Sequence, residues 1–87
     1  MLENGDPTQM SRSLTLLLLY LSSWEEEPIR GASTIRRAWK NHRFETLDAL
    51  AEEGLLEAPH RAKWVRITDA GLARARALAE QMRPLCE

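Results

Sequence analysis

The residues from Met10 to Leu21 constrain this chain more than any others. Met10, Leu14, Leu17, Leu18 and Leu21 recur at helical spacing and make one apolar stripe. Leu16, Leu19, Tyr20 and Trp24 widen it to most of the circumference. A helix that is apolar nearly all round must be covered on more than one side. In a chain of 87 residues, it is either the centre of a single core or one side of an interface between two copies. The expectation is a homodimer joined through this helix or the C-terminal one, with Leu16, Leu19 and Tyr20 facing the partner. The helix opens at Asp6, a good N-cap, with Pro7 at its first position and Gln9 placed as a capping-box partner. Residues 1–6 are expected to be disordered.

Size and composition narrow the classes. A chain this short buries about 60–65% of the surface its unfolded form exposes. That allows one domain over residues 1–87 with one modest core, and argues against a deep-clefted enzyme. Hydrophobic residues at 44% with 29% charged residues describe an ordinary globular chain. Twelve basic residues against thirteen acidic ones, net −1, exclude a strongly cationic binder of nucleic acid or membrane on bulk charge alone. Cys86 is the one cysteine. It cannot form an internal disulfide, and a reducing, cytoplasmic setting fits. Leu14–Leu21 falls well short of the about 20 residues that span a bilayer. Glu3 and Asp6 before it, and Trp24-Glu25-Glu26-Glu27 after it, do not suit a signal peptide.

Residues 25–33 read as a solvated connector broken by Pro28 and Gly31. A short helix over 34–40, capped by Ser33 or Thr34, would turn Ile35, Ala38 and Trp39 inward and Arg36, Arg37 and Lys40 outward. A further helix from Arg43 or Phe44 to Glu53 carries the core stripe Phe44, Leu47, Leu50 and Ala51, and Gly54 ends it in left-handed geometry. Leu55–Ala58 and Ala62–Ile67 read as two strands around a turn at Pro59-His60-Arg61. Thr68 caps an alanine-rich last helix, which Arg76 and Glu80 brace as an i, i+4 pair and Pro84 stops. Helix, short helix, helix, hairpin, helix is the order of a mainly α fold with a small β-hairpin, a winged helix-turn-helix. Its most specific signal is Leu47-x-x-Leu50-x-x-x-Gly54-Leu55-Leu56 followed by Val65-x-Ile67-Thr68-x-x-Gly71. That pattern speaks to fold and not to function.

Three stretches carry a resemblance. They are Arg37-Ala38-Trp39-Lys40, Phe44-x-x-Leu47-Asp48-x-Leu50-x-Glu52-x-Gly54-Leu55, and Pro59 with Ala62-Lys63-x-Val65-x-Ile67-Thr68-x-x-Gly71-Leu72. Together with the leucine-rich first helix they resemble a family of small bacterial proteins known only as a domain of unknown function. The likeness covers about residues 14–80. It implies architecture and no chemistry. The chain departs from the family in a longer stretch at 25–33, and in Arg43 where an acidic helix cap is expected.

Nothing in the sequence makes a catalytic site. His42, His60 and Cys86 lack metal-ligand spacing, the serines lack a nucleophile elbow, and there is no phosphate loop. The expectation is no enzyme, no cofactor, no metal and no small-molecule ligand. Charge segregation says more. Arg30, Arg36, Arg37, Lys40, His42 and Arg43 fall in a stretch without acids, and so do Arg61, Lys63 and Arg66 in the hairpin. In a winged helix, these are the regions that approach double-stranded DNA, where they would neutralise phosphates. Against this, the would-be recognition helix carries Glu45, Asp48, Glu52 and Glu53, which repel phosphates. Two functions stay open: a transcription-associated DNA binder working through phosphate contacts, or a protein–protein interaction module on the same scaffold. Trp64 shares a hairpin face with Arg66. It is either covered by the last helix or exposed to a partner.

Overall fold

The leucine run folds as one helix, α1 (Pro7–Leu21). It ends early because Ser22 and Ser23 turn their hydroxyls back onto it. Ser22 Oγ donates to the Leu18 carbonyl at 2.8 Å, and Ser23 Oγ donates to that of Tyr20. Such local bonds compete with helix propagation. Trp24 therefore leaves the helix and opens strand β1 (Trp24–Glu26). The computed structural model describes residues 7–26 and 35–86, without the Cys86 side chain. The expected disorder of residues 1–6, the Ser33 or Thr34 cap and Arg30 lie outside the described residues.

The chain continues as β2 (Ile35–Trp39), α2 (Phe44–Glu52), β3 (Leu56–Glu57), β4 (Trp64–Ile67) and α3 (Asp69–Cys86). The strands form one antiparallel sheet in the order β1-β2-β4-β3. Over the described residues, the fold is thus three helices and a four-stranded antiparallel sheet, a compact α+β arrangement. The hairpin expected over 55–67 is present as β3 and β4. The short helix expected over 34–40, which would have been the first of the helix-turn-helix pair, is strand β2. Ile35, Ala38 and Trp39 satisfy a helical period, but the segment is too short for that period to decide. Its arginines instead meet the glutamates of β1, Arg36 directly across the ladder from Glu25, and Arg37, opposite Trp24, diagonally through its bond to Glu26. Residues 25 and 26 are accordingly a sheet edge and not a solvated connector.

Alternation along the strands sorts the sheet into two faces. Ala38, Val65, Ile67 and Leu56 are buried against Leu16 and Leu19 of α1, Leu47 and Leu50 of α2, and Ala75 of α3 in one core cluster. Leu16 and Leu19, expected at a dimer interface, belong to this single-chain core because they lie i, i+3 on the side of α1 that faces the sheet. Leu14, Leu18 and Leu21, at i, i+4, i+7 on another side, are the exposed leucines of α1. Tyr20 is half-buried beneath the Arg36 guanidinium, 5.3 Å from its ring centre.

Two glycine positions fix how α3 joins the rest. Gly54 has φ +80° and ends α2, as its left-handed position requires. Gly71 sits where the first turn of α3 presses on the backbone of Leu55. Thr68 joins the two places. Its hydroxyl donates to the Gly54 carbonyl at 2.7 Å and accepts the Gly71 N–H at 3.0 Å, while its own N–H donates to the Leu55 carbonyl. Thr68→Ala removes this cap and is expected to cost about 1–2 kcal/mol in a urea unfolding titration. The last helix does not stop at Pro84 but runs to Cys86. A proline lacks the N–H that would bond Glu80 and crowds that carbonyl, but here only two helical residues follow it. Glu80 pairs with Arg83 at 2.6 Å, one turn on, instead of with Arg76.

Candidate nucleic-acid interface

The residues of the sheet that alternate with the core face away from the three helices. All three tryptophans of the chain are among them: Trp24 on β1, Trp39 on β2 and Trp64 on β4. Trp39 was expected in the core. Strand geometry turns it to the side opposite Ala38, and it is 55% exposed. Its ring lies 5.1 Å from that of Trp24, tilted by 43°. Trp64, opposite Trp39 in the ladder, is half-buried, and its cover is the guanidinium of Arg37, 4.1 Å above the ring. The last helix does not provide it.

Ion pairs occupy several of the expected phosphate contacts. Arg37 Nη1 is hydrogen-bonded to Glu26. Arg36 reaches the Ser23 hydroxyl at 2.8 Å and Glu25 at 3.7 Å. Arg66 Nε donates to Glu57 at 2.6 Å, its neighbour across the β3–β4 ladder. That hydrogen bond holds the Glu57 carboxyl below its ordinary value of 4.5, and Arg66 is held charged in return. The sign follows. A carboxyl with a lowered folded pKa contributes stability above its unfolded value, and that contribution is lost as pH falls through the folded value. Glu57→Gln should therefore be slightly less stable than wild type at pH 7. The gap should close in melts below about pH 4. The effect is small because the pair is exposed to solvent.

The remaining cations meet at one end of the sheet. β2 runs out at Trp39, and Lys40 prolongs the ladder by donating its N–H to the Lys63 carbonyl at 2.8 Å. Lys40 Nζ then donates to the Pro59 carbonyl at 2.6 Å, which ties the β3–β4 turn to the start of α2. Between these segments lies an open cleft of about 400 Å³. Trp39, Phe44, Lys40, His60, Arg61 and Lys63 are among its lining residues, and no carboxylate lines it. Arg61 and Lys63 make no ion pair among the described residues. Asn41 is shared with a neighbouring depression that holds His42 and Arg43. Arg43, where an acidic cap was expected, is the N-cap of α2 and makes no side-chain capping bond.

The structure thus brings Lys40, His42, Arg43, Arg61 and Lys63 together and sets Arg36, Arg37 and Arg66 apart on the sheet. The aromatic part of the site was missed. Phe44, expected in the core stripe, is 72% exposed. It is the first residue of α2, one turn before Leu47, so it overhangs the end of the core. The signal was present in the sequence: an aromatic at the first helical position, five residues after another, with cations between.

Among the described residues, no His, Cys, Asp and Glu cluster could hold a metal ion, and no helix is long and apolar enough to cross a membrane. No curated protein and no solved structure matches the chain. A family model matches residues 8–84, and the chain belongs to that family, the domain of unknown function DUF6429.

Proposed function

We propose that this domain binds nucleic acid through its phosphates, at the cleft between the β3–β4 turn and the start of α2. The observation that carries the reading is the convergence of Lys40, Arg61 and Lys63 on one cleft that no carboxylate lines. Of the contacts expected of a winged helix, only those of the hairpin remain: its turn supplies Arg61 and Lys63, while α2 brings only its first residue, Phe44, and keeps Glu45, Asp48 and Glu52 out of the cleft. Binding is weak, salt-steep and indifferent to sequence, because few donors face a base edge.

Three or four engaged cations give a slope of log affinity against log salt of roughly −3 to −4 on duplex and −2 to −3 on single strands. The test is a salt titration of labelled oligonucleotides by fluorescence anisotropy. Arg61→Ala with Lys63→Ala should weaken binding equally on unrelated sequences and flatten the slope by about 1.5–2. Arg36→Ala should change little, since that side chain is held by Ser23 and Glu25. Absence of binding at about 50 mM salt, where phosphate contacts are strong, would favour the protein-interaction module instead.

We also propose that the domain pairs with a second copy along α1 and α3. Leu14, Leu17, Leu78, Met82 and Leu85 line a groove between these helices that contains no charged side chain. Two-fold pairing lays a patch on itself, so an uncharged patch meets no like-charge repulsion. Sedimentation equilibrium should return a dimer. Leu14→Glu with Leu85→Glu should return the 10.0 kDa monomer. A wild-type monomer at every concentration would refute the pairing.

A further inference from the structure

We infer that the nucleic acid this cleft takes is single-stranded, with unpaired bases stacking on Trp39 and Phe44 while Lys40, Arg61 and Lys63 hold the flanking phosphates. This rests on the reading of the cleft as a nucleic-acid site and narrows it to one class of ligand.

The first ground is the pairing of groups. Cations alone would suit any polyanion, and exposed rings alone would suit many partners. Trp39 and Phe44 are both more than half exposed, and both line the same cleft as the cations. A flat ring linked to a phosphate is the ligand that uses both. In a duplex the faces of the bases are closed off by their neighbours in the stack. Only an unpaired base offers its face to a side chain.

The second ground is what surrounds the cleft. Glu45, Asp48, Glu52 and Glu53 are exposed along α2 and the turn after it. A duplex is broad, and its second phosphate backbone would approach those carboxylates. A single strand seated in the cleft meets none of them there, because no carboxylate lines it. The basic lining also continues past Asn41 to Arg43, with His42 beside it, so the positive track is longer than one phosphate needs. That continuation favours a strand over a free nucleotide. In the other direction, Trp39 leads to the half-buried Trp24 and, beneath Arg37, Trp64 on the same sheet face. Antiparallel sheets that present aromatic side chains in this way are a recurring platform for unpaired bases.

The experiment is fluorescence anisotropy with labelled oligo(dT), oligo(rU) and a mixed-sequence duplex of equal length, with AMP as competitor. The expected result is tighter binding of the single strands than of the duplex, with AMP a poor competitor. Trp39→Ala and Phe44→Ala should each weaken single-strand binding by about five- to a hundredfold and leave duplex binding unchanged. Trp39→Phe should recover most of the loss. Both sites are exposed, and circular dichroism will show whether each variant keeps its fold. Phe44→Ala leaves every tryptophan contact in place, so it decides the case if Trp39→Ala unfolds. Equal competition by AMP would replace the strand with a free nucleotide and overturn the inference. Duplex binding as tight as single-strand binding, indifferent to both aromatic variants, would overturn it while leaving the phosphate reading intact. No binding to any of the three would remove both. The comparison of oligo(dT) with oligo(rU) separates DNA from RNA within the surviving class.

Discussion

Gly71→Ala is expected to abolish cooperative folding, or to lower the melting midpoint by more than about 15 °C. A β-carbon at this position would lie 2.1 Å from the Leu55 carbonyl oxygen, 2.9 Å from Ile67 Cγ2 and 3.1 Å from the Leu55 carbonyl carbon. The nearest of these atoms is backbone, and it is already engaged, since the Leu55 oxygen accepts the N–H of Thr68. Relief would require α3 to move off the corner between α2 and β3. That movement would break the Thr68 bonds to Gly54 and Leu55 as well. A domain of this length has on the order of 4–13 kcal/mol of stability in total, so the loss of one helix's seat is close to the whole of it. Gly54→Ala is the matched control. Nothing lies within 4 Å of its added β-carbon, and only the positive φ opposes it. It should cost about 1–2 kcal/mol. Thermal melts of the two variants followed at 222 nm make the comparison. Equal melting of the two would mean that the Leu55 contact is not what requires a glycine at 71.

Leu19→Ala is expected to cost about 2–5 kcal/mol, and Leu18→Ala within about 0.5 kcal/mol of nothing in the isolated chain. The two residues are neighbours of the same type on the same helix. Leu19 is fully buried, at 0% exposure, beside Ala38, Val65 and the α2 leucines, whereas Leu18 is 55% exposed. Truncation at 19 opens a cavity in the centre of the only core among the described residues. Truncation at 18 removes atoms from water. At about 4–8 °C per kcal/mol for a domain of this size, the two midpoints should differ by about 8–40 °C. Urea titrations measure the same difference. Similar losses at both positions would place Leu18 under cover, which in solution means under a second chain. The measurement therefore also bears on the proposed pairing, if it is repeated across protein concentrations.

What the sequence made legible follows from how local each cause is. The end of α2, the hairpin and the Thr68 cap were readable because Gly54, the Val65/Ile67 alternation and Thr68 act within a few residues. Strand β2 was not readable. Its five residues satisfy a helical and a strand period alike, and what selects the strand is distant: the glutamates of β1 on one side and β4 on the other. The error propagated to the site. Once 34–40 is taken as helix, Trp39 joins Ala38 in the core and the arginines point to solvent. In the strand, Trp39 faces away from Ala38, and Arg36 and Arg37 are matched to Glu25 and Glu26. The clustering of Lys40 with Arg61 and Lys63 was half visible as two acid-free stretches. Their meeting depends on the pairing of Lys40 with Lys63, a long-range contact that composition does not encode. For α1, the surplus of leucines was evident, but which of them face inward depends on where the sheet lies.

The placement of the three indoles has an optical consequence. The core cluster contains no tryptophan, so the tryptophan emission of this protein originates entirely in the outer layer of the sheet. Excited at 295 nm, the chain reports on β1, β2 and β4 and is silent about the packing of the helices. The far-ultraviolet dichroism is dominated by α1, α2 and α3. These two signals therefore view opposite layers of one molecule. Detachment of the edge strand β1 would separate Trp24 from Trp39 and change the emission while the helical signal stayed constant. Comparing the two curves in a single denaturation would give the order in which the layers come apart, with no label attached.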